Sequence, residues 1–300
     1  AYDILYFLGL AASCPFWLVV PKKRRKVLSA FRDRGGDVPT PSGSGPVVLV
    51  HAVSVGEMNA TRTMIAALRA ARPNLRFIVS ATTETGFARG QELYAPEKDI
   101  AVVRYPLDFS GAIKRFLDAI NPTLVILMEL EVWPNFLKRC QQREIPVILA
   151  NARLTEPSFR NYRRGGAITR RMFNRLSLVC AQDVTYGERF IALGVPPYRV
   201  VVTGTMKFDT ASAAPPPTAF ARAHAIGLNI GHEPIWVCGS TGPGEEEIIL
   251  RIYRRMLARY PRLRLVIVPR HPQRFDEVEQ IIMDARFSCT RYSRPSIDAA

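Results

Sequence analysis

Short polar stretches carry the side chains that could do chemistry. Glu57 follows the apolar run Val47-Val48-Leu49-Val50 and the turn Ser54-Val55-Gly56. Glu129 and Glu131 come straight after a second apolar run, 124–128, and Lys207 comes after a third, 200–202. Further on, Ser240-Thr241 precede Glu245-Glu246-Glu247, and Arg270-His271 follow the run 263–268. A carboxylate in the first turn of a helix is stabilised by the backbone dipoles, by ~0.3–1 kcal/mol. Glu57 would therefore be ionised, as a general base must be. It could equally do no more than cap its helix. Glu129 and Glu131 could be ordinary helix-start residues. Lys207, Arg270 and His271 could be solvated loop groups. Ser240-Thr241 read either as a capping arrangement or as hydroxyls that hold a phosphate together with free N–H groups at a helix start.

Each of these groups falls where a strand hands over to a helix. Strands are expected at 47–53, 76–80, 101–104, 124–128, 147–150, 178–181 and 200–202, with helical patterns between them, among them 111–120, 133–143 and 183–193. Short apolar strands alternating with helices predict a parallel sheet covered on both faces. The crevice of such a sheet lies outside the carboxyl ends of its strands, where the candidates sit. Ala213-Ala214-Pro215-Pro216-Pro217 breaks the rhythm. A second series then runs as strand 235–238, helix 245–259, strand 263–268, helix 275–285 and strand 289–292. The expected division is 47–212 for one Rossmann-like domain, 213–232 for a linker and 233–300 for part of a second. Three strands and two helices are few for a doubly wound domain, so the sequence is expected to be C-terminally incomplete.

The beginning of the chain is different in kind. Tyr2 to Val20 is almost wholly apolar, ~19 residues against the ~20 that cross a hydrocarbon core. Pro21-Lys22-Lys23-Arg24-Arg25-Lys26 follows, with Phe16 and Trp17 near the boundary. That arrangement suits a membrane anchor over 1–26 whose following domain is cytoplasmic, joined by a Gly/Pro/Ser-rich linker, 27–46. Asp3 and Pro15 favour a short or interfacial anchor. A domain helix with a solvated basic face, or a nucleic-acid arm, are the other readings of the same residues. The net charge is +15 with a pI of about 10.1 and 48% hydrophobic residues. This points to an anionic partner surface, and lipid is favoured over nucleic acid because the basic block abuts an apolar helix. Five widely spaced cysteines read as free thiols in a reducing compartment. With no CxxC, HxxxH or HExxH, no protein-held metal and no cofactor is expected.

Seven stretches in order resemble one family. They are His-Ala-Val-Ser-Val-Gly-Glu (51–57), Thr-Thr-Glu-Thr-Gly (82–86), Met-Glu-Leu-Glu-Val-Trp-Pro-Asn (128–135), Ala-Asn-Ala-Arg-Leu (150–154), Thr-Gly-Thr-Met-Lys-Phe-Asp (203–209), Ser-Thr-Gly-Pro-Gly-Glu-Glu-Glu (240–247) and Val-Pro-Arg-His-Pro-Gln-Arg-Phe (268–275). Together they resemble the Kdo transferases, which attach 3-deoxy-D-manno-octulosonic acid to lipid A. The resemblance implies an α/β fold of the GT-B type, with two Rossmann-like doubly wound domains facing a cleft and an N-terminal membrane-anchor helix. It implies transfer of Kdo from CMP-Kdo to a phosphorylated lipid A precursor without a metal, at the cytoplasmic face of the inner membrane.

Carried over by position, Glu57 matches the family's general base, Glu129 its second carboxylate and Lys207 a cation that stabilises the transition state. Arg270 and His271 match part of the CMP site, with Ser240 and Thr241 beside it. Leu130 stands where the family usually has Thr, and Gly242-Pro243-Gly244 where it usually has His-Glu-Gly, which puts a donor contact from that turn in doubt. The rival readings are another GT-B enzyme of nucleotide sugars, such as an epimerase, and a basic protein that binds nucleic acid. The first would not need the apolar anchor. The second would show a nucleic-acid-binding motif, and none is found.

Overall fold

The computed structural model describes residues 2–12, 34–36, 38, 43–97, 99–209, 221, 223–224, 227–228 and 231–293. The basic block 22–26, most of the 27–46 linker and the proline run 213–217 lie outside them. The chain divides into two compact units, Ala1–Ala211 and Ser212–Ala300.

In the first unit, seven strands form one sheet: β1 (Val47–His51), β2 (Arg76–Ala81), β3 (Ile100–Arg104), β4 (Leu124–Met128), β5 (Val147–Ala152), β6 (Leu178–Ala181) and β7 (Val200–Val202). All pairings are parallel, in the order β3-β2-β1-β4-β5-β6-β7. The chain winds outward from β1 to β3, then returns to start again at β4 on the other side of β1. That reversal is the topological switch point, where open α/β sheets bind ligands. β1 is buried at every position, because helices cover both faces of the sheet. The helices are α1 (Tyr2–Ala12), α2 (Val55–Ala71), α3 (Glu84–Tyr94), α4 (Ser110–Ile120), α5 (Pro134–Gln142), α6 (Glu156–Arg164), α7 (Gly166–Phe173) and α8 (Val184–Ala192). Two apolar clusters result, one on each face. One holds Leu49, Phe116, Phe136, Phe173 and Phe190, the other Val50, Met58, Phe77 and Met128. Each such buried side chain contributes ~1.5–3 kcal/mol relative to exposure.

The helix α1 is tied down by polar groups. The Asp3 carboxylate accepts from the Ser110 N–H at 3.2 Å and from the Asn135 amide at 2.5 Å. The Tyr6 ring meets Phe109 edge-on at 4.9 Å. Ile4, Phe7 and Leu8 face outward and stay more than half exposed. No described helix is long and apolar enough to cross a membrane. Part of the expected anchor, 13–26, lies outside the described residues.

The second unit has a two-stranded parallel sheet, β8 (Ile235–Thr241) and β9 (Arg264–Pro269), with α9 (Glu245–Leu257) and α10 (Phe275–Asp284). The strand expected at 289–292 does not form, and only Arg291 makes a bridge. Its guanidinium is drawn to α10 instead, bonding Asp276 at 2.7 Å and Glu279 at 2.8 Å.

Candidate active site

The loop after β1 is held from several directions. The Ala52 N–H donates to the Ser80 carbonyl at 3.0 Å. The Thr83 hydroxyl donates to the Val53 carbonyl. At Gly86 a Cβ would lie 2.4 Å from the Val53 carbonyl oxygen, so only glycine lets α3 approach this loop. Ser54 caps α2: its hydroxyl accepts from the Glu57 N–H at 3.2 Å. The Glu57 carboxylate accepts from the Val53 N–H (2.9 Å), the Ser54 N–H (3.3 Å) and the Ser54 hydroxyl (2.8 Å). This is a capping box, so Glu57 does cap its helix. A carboxylate offers about four lone-pair positions. The three bonds hold the group at the switch point and occupy three of those positions, both on Oε1 and one on Oε2.

Glu129 leaves β4 in the left-handed region, φ 54°, a conformation that costs a non-glycine residue on the order of 1–3 kcal/mol. Its N–H is kept on the sheet by the Ala150 carbonyl at 2.9 Å. The side chain is half-buried. Burial raises its pKa, the Glu57 charge raises it further, and Arg153 and Lys207 oppose them without cancelling the rise. The carboxylates Glu57 and Glu129 thus share a neighbourhood with two cations. Arg153 is held charged by the Tyr186 hydroxyl and by Glu129. Lys207 lies on a single 3-10 turn, Met206–Phe208, just after β7.

Glu131, two residues along, turns inward and does different work. Its Oε2 accepts from the Trp133 indole at 3.0 Å and stands 3.8 Å from His51 Nε2. Burial alone would raise its pKa, but His51, Trp133 and Arg34 outweigh it and hold the carboxyl below its usual value. His51 is fully buried at the end of β1. Its Nδ1 lies 3.0 Å from the Ser80 hydroxyl, and its ring stacks on Tyr105 at 3.8 Å between centroids. The His51–Glu131 contact links the loops that follow β1 and β4.

Of the candidates in this unit, Glu57, Glu129 and Lys207 come together. His51, Asn151, Arg153 and Glu131 also belong to their surroundings. Their signal was that they fall inside the stretches 51–57, 128–135 and 150–154.

In the second unit, the ends of β8 and β9 are joined by the bond from the Arg270 N–H to the Thr241 carbonyl, 3.0 Å. This brings Ser240-Thr241 beside Arg270-His271. Ser240 is exposed at φ 64°, whereas Thr241 is buried, so only one of the two hydroxyl residues lies at the surface. Neither caps α9. Its N-cap is Gly244, and the Gly242 N–H donates to the Glu245 carboxylate at 2.7 Å. Arg270 and His271 are exposed. The buried cation of this loop is Arg274, whose guanidinium takes both oxygens of the buried Glu246 at 2.9 and 3.1 Å and reaches Glu277 at 2.9 Å. Burial works to raise the Glu246 pKa, and these bonds bring it below its ordinary value. Among the described residues, no three His, Cys, Asp or Glu side chains are grouped as a metal ion would require.

A family model described as 3-deoxy-D-manno-octulosonic-acid transferase (kdotransferase) matches residues 29–210. The 3-deoxy-D-manno-octulosonic acid transferase of Haemophilus influenzae is 33% identical over 293 residues, 97% of this chain and 65% of its own length. That of Bordetella pertussis is 31% identical over 307 residues, 97% of this chain and 69% of its own length. The chain therefore spans about two thirds of the length of these relatives. Among solved structures, a UDP-N-acetylglucosamine 2-epimerase from Listeria monocytogenes superposes with a TM-score of 0.56 at 12% identity, covering 81% of this chain and 66% of its own. A glycosyltransferase from Rickettsia africae does so with a TM-score of 0.54 at 11% identity, again covering 81% and 66%. These likenesses concern the fold alone, a parallel α/β architecture of the GT-B type. With the family model spanning most of the first unit and both relatives aligned over nearly all of the sequence, this chain belongs to the 3-deoxy-D-manno-octulosonic acid transferase family.

Proposed function

We propose that the protein moves Kdo from CMP-Kdo to a phosphorylated lipid A precursor, as part of lipopolysaccharide core biosynthesis. An acceptor hydroxyl oxygen attacks the anomeric carbon of Kdo, and the bond from that carbon to the CMP phosphate breaks. The hydroxyl proton passes to Glu57, and the electron pair leaves with the CMP phosphate. Lys207 offsets negative charge that develops as the bond breaks, and Glu129 keeps Lys207 and Arg153 facing the reacting centre. Arg270, His271, Ser240 and Thr241 form part of the CMP site, where a guanidinium suits phosphate oxygens. The observation that carries this reading is that Glu129, at the end of β4 beside β1, feels the charges of both Glu57 and Lys207.

The same reading places the protein at the cytoplasmic face of the inner membrane. It is supported by the outward apolar side chains Ile4, Phe7 and Leu8 and by the net charge of +15. Division of labour between an acceptor-binding region, 47–212, and a nucleotide-sugar-binding region from 233 onward goes with it.

The test is to incubate the full-length protein with CMP-Kdo and a lipid A precursor and to weigh the lipid product. A mass gain of one or more Kdo residues, with equimolar CMP released, is the expected result. Unchanged lipid in the presence of intact CMP-Kdo would reject the proposal.

A further inference from the structure

We infer that Asn151 is a positioning residue that sets the place of Lys207, an inference that rests on the role proposed above for Lys207. Asn151 stands at the end of β5, beside the register shift between Leu149 and Ala152. It is buried, 3% exposed, and its backbone is left-handed at φ 52°. Asparagine tolerates that conformation better than most residues but still at a cost. Such strain persists only where the surroundings over-determine it.

The surroundings here do so from two neighbouring strand ends. The Gln182 amide, just past β6, donates to the Asn151 carbonyl at 2.9 Å. The Asn151 side-chain oxygen accepts from the Met206 N–H at 3.1 Å. Met206 opens the short turn that carries Lys207, and its side chain packs against the apolar cluster of Val50 and Met128. Within the turn, the Thr205 hydroxyl accepts from the Lys207 N–H at 3.4 Å and the Asp209 N–H bonds the Met206 carbonyl at 3.2 Å. Both bonds are local and fix the shape of the turn only. Together with the Met206 packing, the Asn151 bond fixes where the turn sits on the sheet, and so where the Lys207 backbone stands relative to Glu129. The left-handed backbone aims the amide at the Met206 N–H, away from the direction that strand periodicity would give it.

A cation displaced by about 1 Å from a developing charge can cost on the order of 10²-fold in rate. The test is a double-mutant cycle on the full-length protein. N151A should lower kcat by about that factor with both KM values unchanged, because ground-state binding does not use the ammonium in its final place. In the K207A background the same N151A change should cost almost nothing, since the group it positions is gone. N151G keeps the left-handed backbone and loses the acceptor, so it should behave like N151A. N151D keeps an acceptor oxygen and should recover most of the rate.

Hydrogen exchange gives a readout independent of turnover: the Met206 amide should exchange faster in N151G while the β4 amides do not. Multiplicative losses in the double variant, with K207A itself impaired, would overturn the inference alone. A neutral K207A would overturn the role of Lys207 and the inference together. Unchanged Met206 exchange in N151G would overturn the inference whatever the activity.

Discussion

At the ends of β1 and β4, two carboxylates are brought close enough that the Glu57 charge adds to burial in raising the pKa of Glu129, and the cations beside them do not cancel the rise. At the ends of β8 and β9, a carboxylate is buried with a guanidinium locked across both of its oxygens. The sequence offers the same material in both places, an apolar strand followed by acidic and basic residues. The first unit leaves its charges in tension at the strand ends, and the second uses them to tie the start of α9 to the 270–274 loop. Like charges held near each other cost stability and are kept where chemistry needs them. A satisfied buried pair fixes geometry. On the proposed function, the difference separates residues that act from residues that hold.

Substitutions can break or sharpen that contrast. The largest effect is expected from Glu57→Gln, which keeps one acceptor oxygen for the cap and removes the base. Transfer should fall by ~10²–10⁴ in kcat with the melting curve little changed. Near-normal turnover would move Glu57 into the holding class.

Next comes Arg274→Ala, which leaves Glu246 buried without its partner. The melting transition of the second unit should drop by several degrees and donor KM should rise, because the 270–274 loop loses its tether. A second unit that melts as before would show that the pair holds nothing.

Glu129→Gln should be smaller in stability and opposite in sign. Burial and the Glu57 charge raise the Glu129 pKa, so ionising it costs the fold. Removing the charge should raise the melting temperature at neutral pH while transfer is lost. A lowered melting temperature would contradict the tension ascribed to the first site.

The smallest effect on transfer is expected at Asp108, a buried acid of the first unit that holds the start of α5. Its carboxylate accepts from the N–H groups of Asn135 and Phe136 at 3.0 and 2.9 Å, at the start of α5. Burial nevertheless pushes its pKa from 3.8 up to about 6. The folded state then binds a proton where the unfolded chain does not. The stabilisation is complete below about pH 4 and is lost as pH rises through about 6. Melting curves of wild type and Asp108→Asn across that range should converge in slope only if another group is responsible.

Much of the first unit was legible in the sequence, since β-branched apolar runs such as Val47-Val48-Leu49-Val50 have few other uses. The position of Glu57 after the first of them followed from the same rule. The separate fates of Glu129 and Glu131 were hidden, because a left-handed residue at 129 breaks the alternation by which strand side chains are assigned to faces. Ser240, also left-handed, hid the burial of Thr241 in the same way. The Glu246–Arg274 pair joins residues far apart in sequence and has no local signature. Residues 289–292 carry a strand-like pattern but contribute only the bridge at Arg291.

If Glu57 is the base proposed above, the capping box gives one side chain two roles. In a library randomised at position 57 and selected only for thermal survival, Glu and Gln should both persist, because either can close the box. Selection for Kdo transfer should retain Glu alone. The ratio of Gln to Glu among survivors then reports which pressure a given selection has applied.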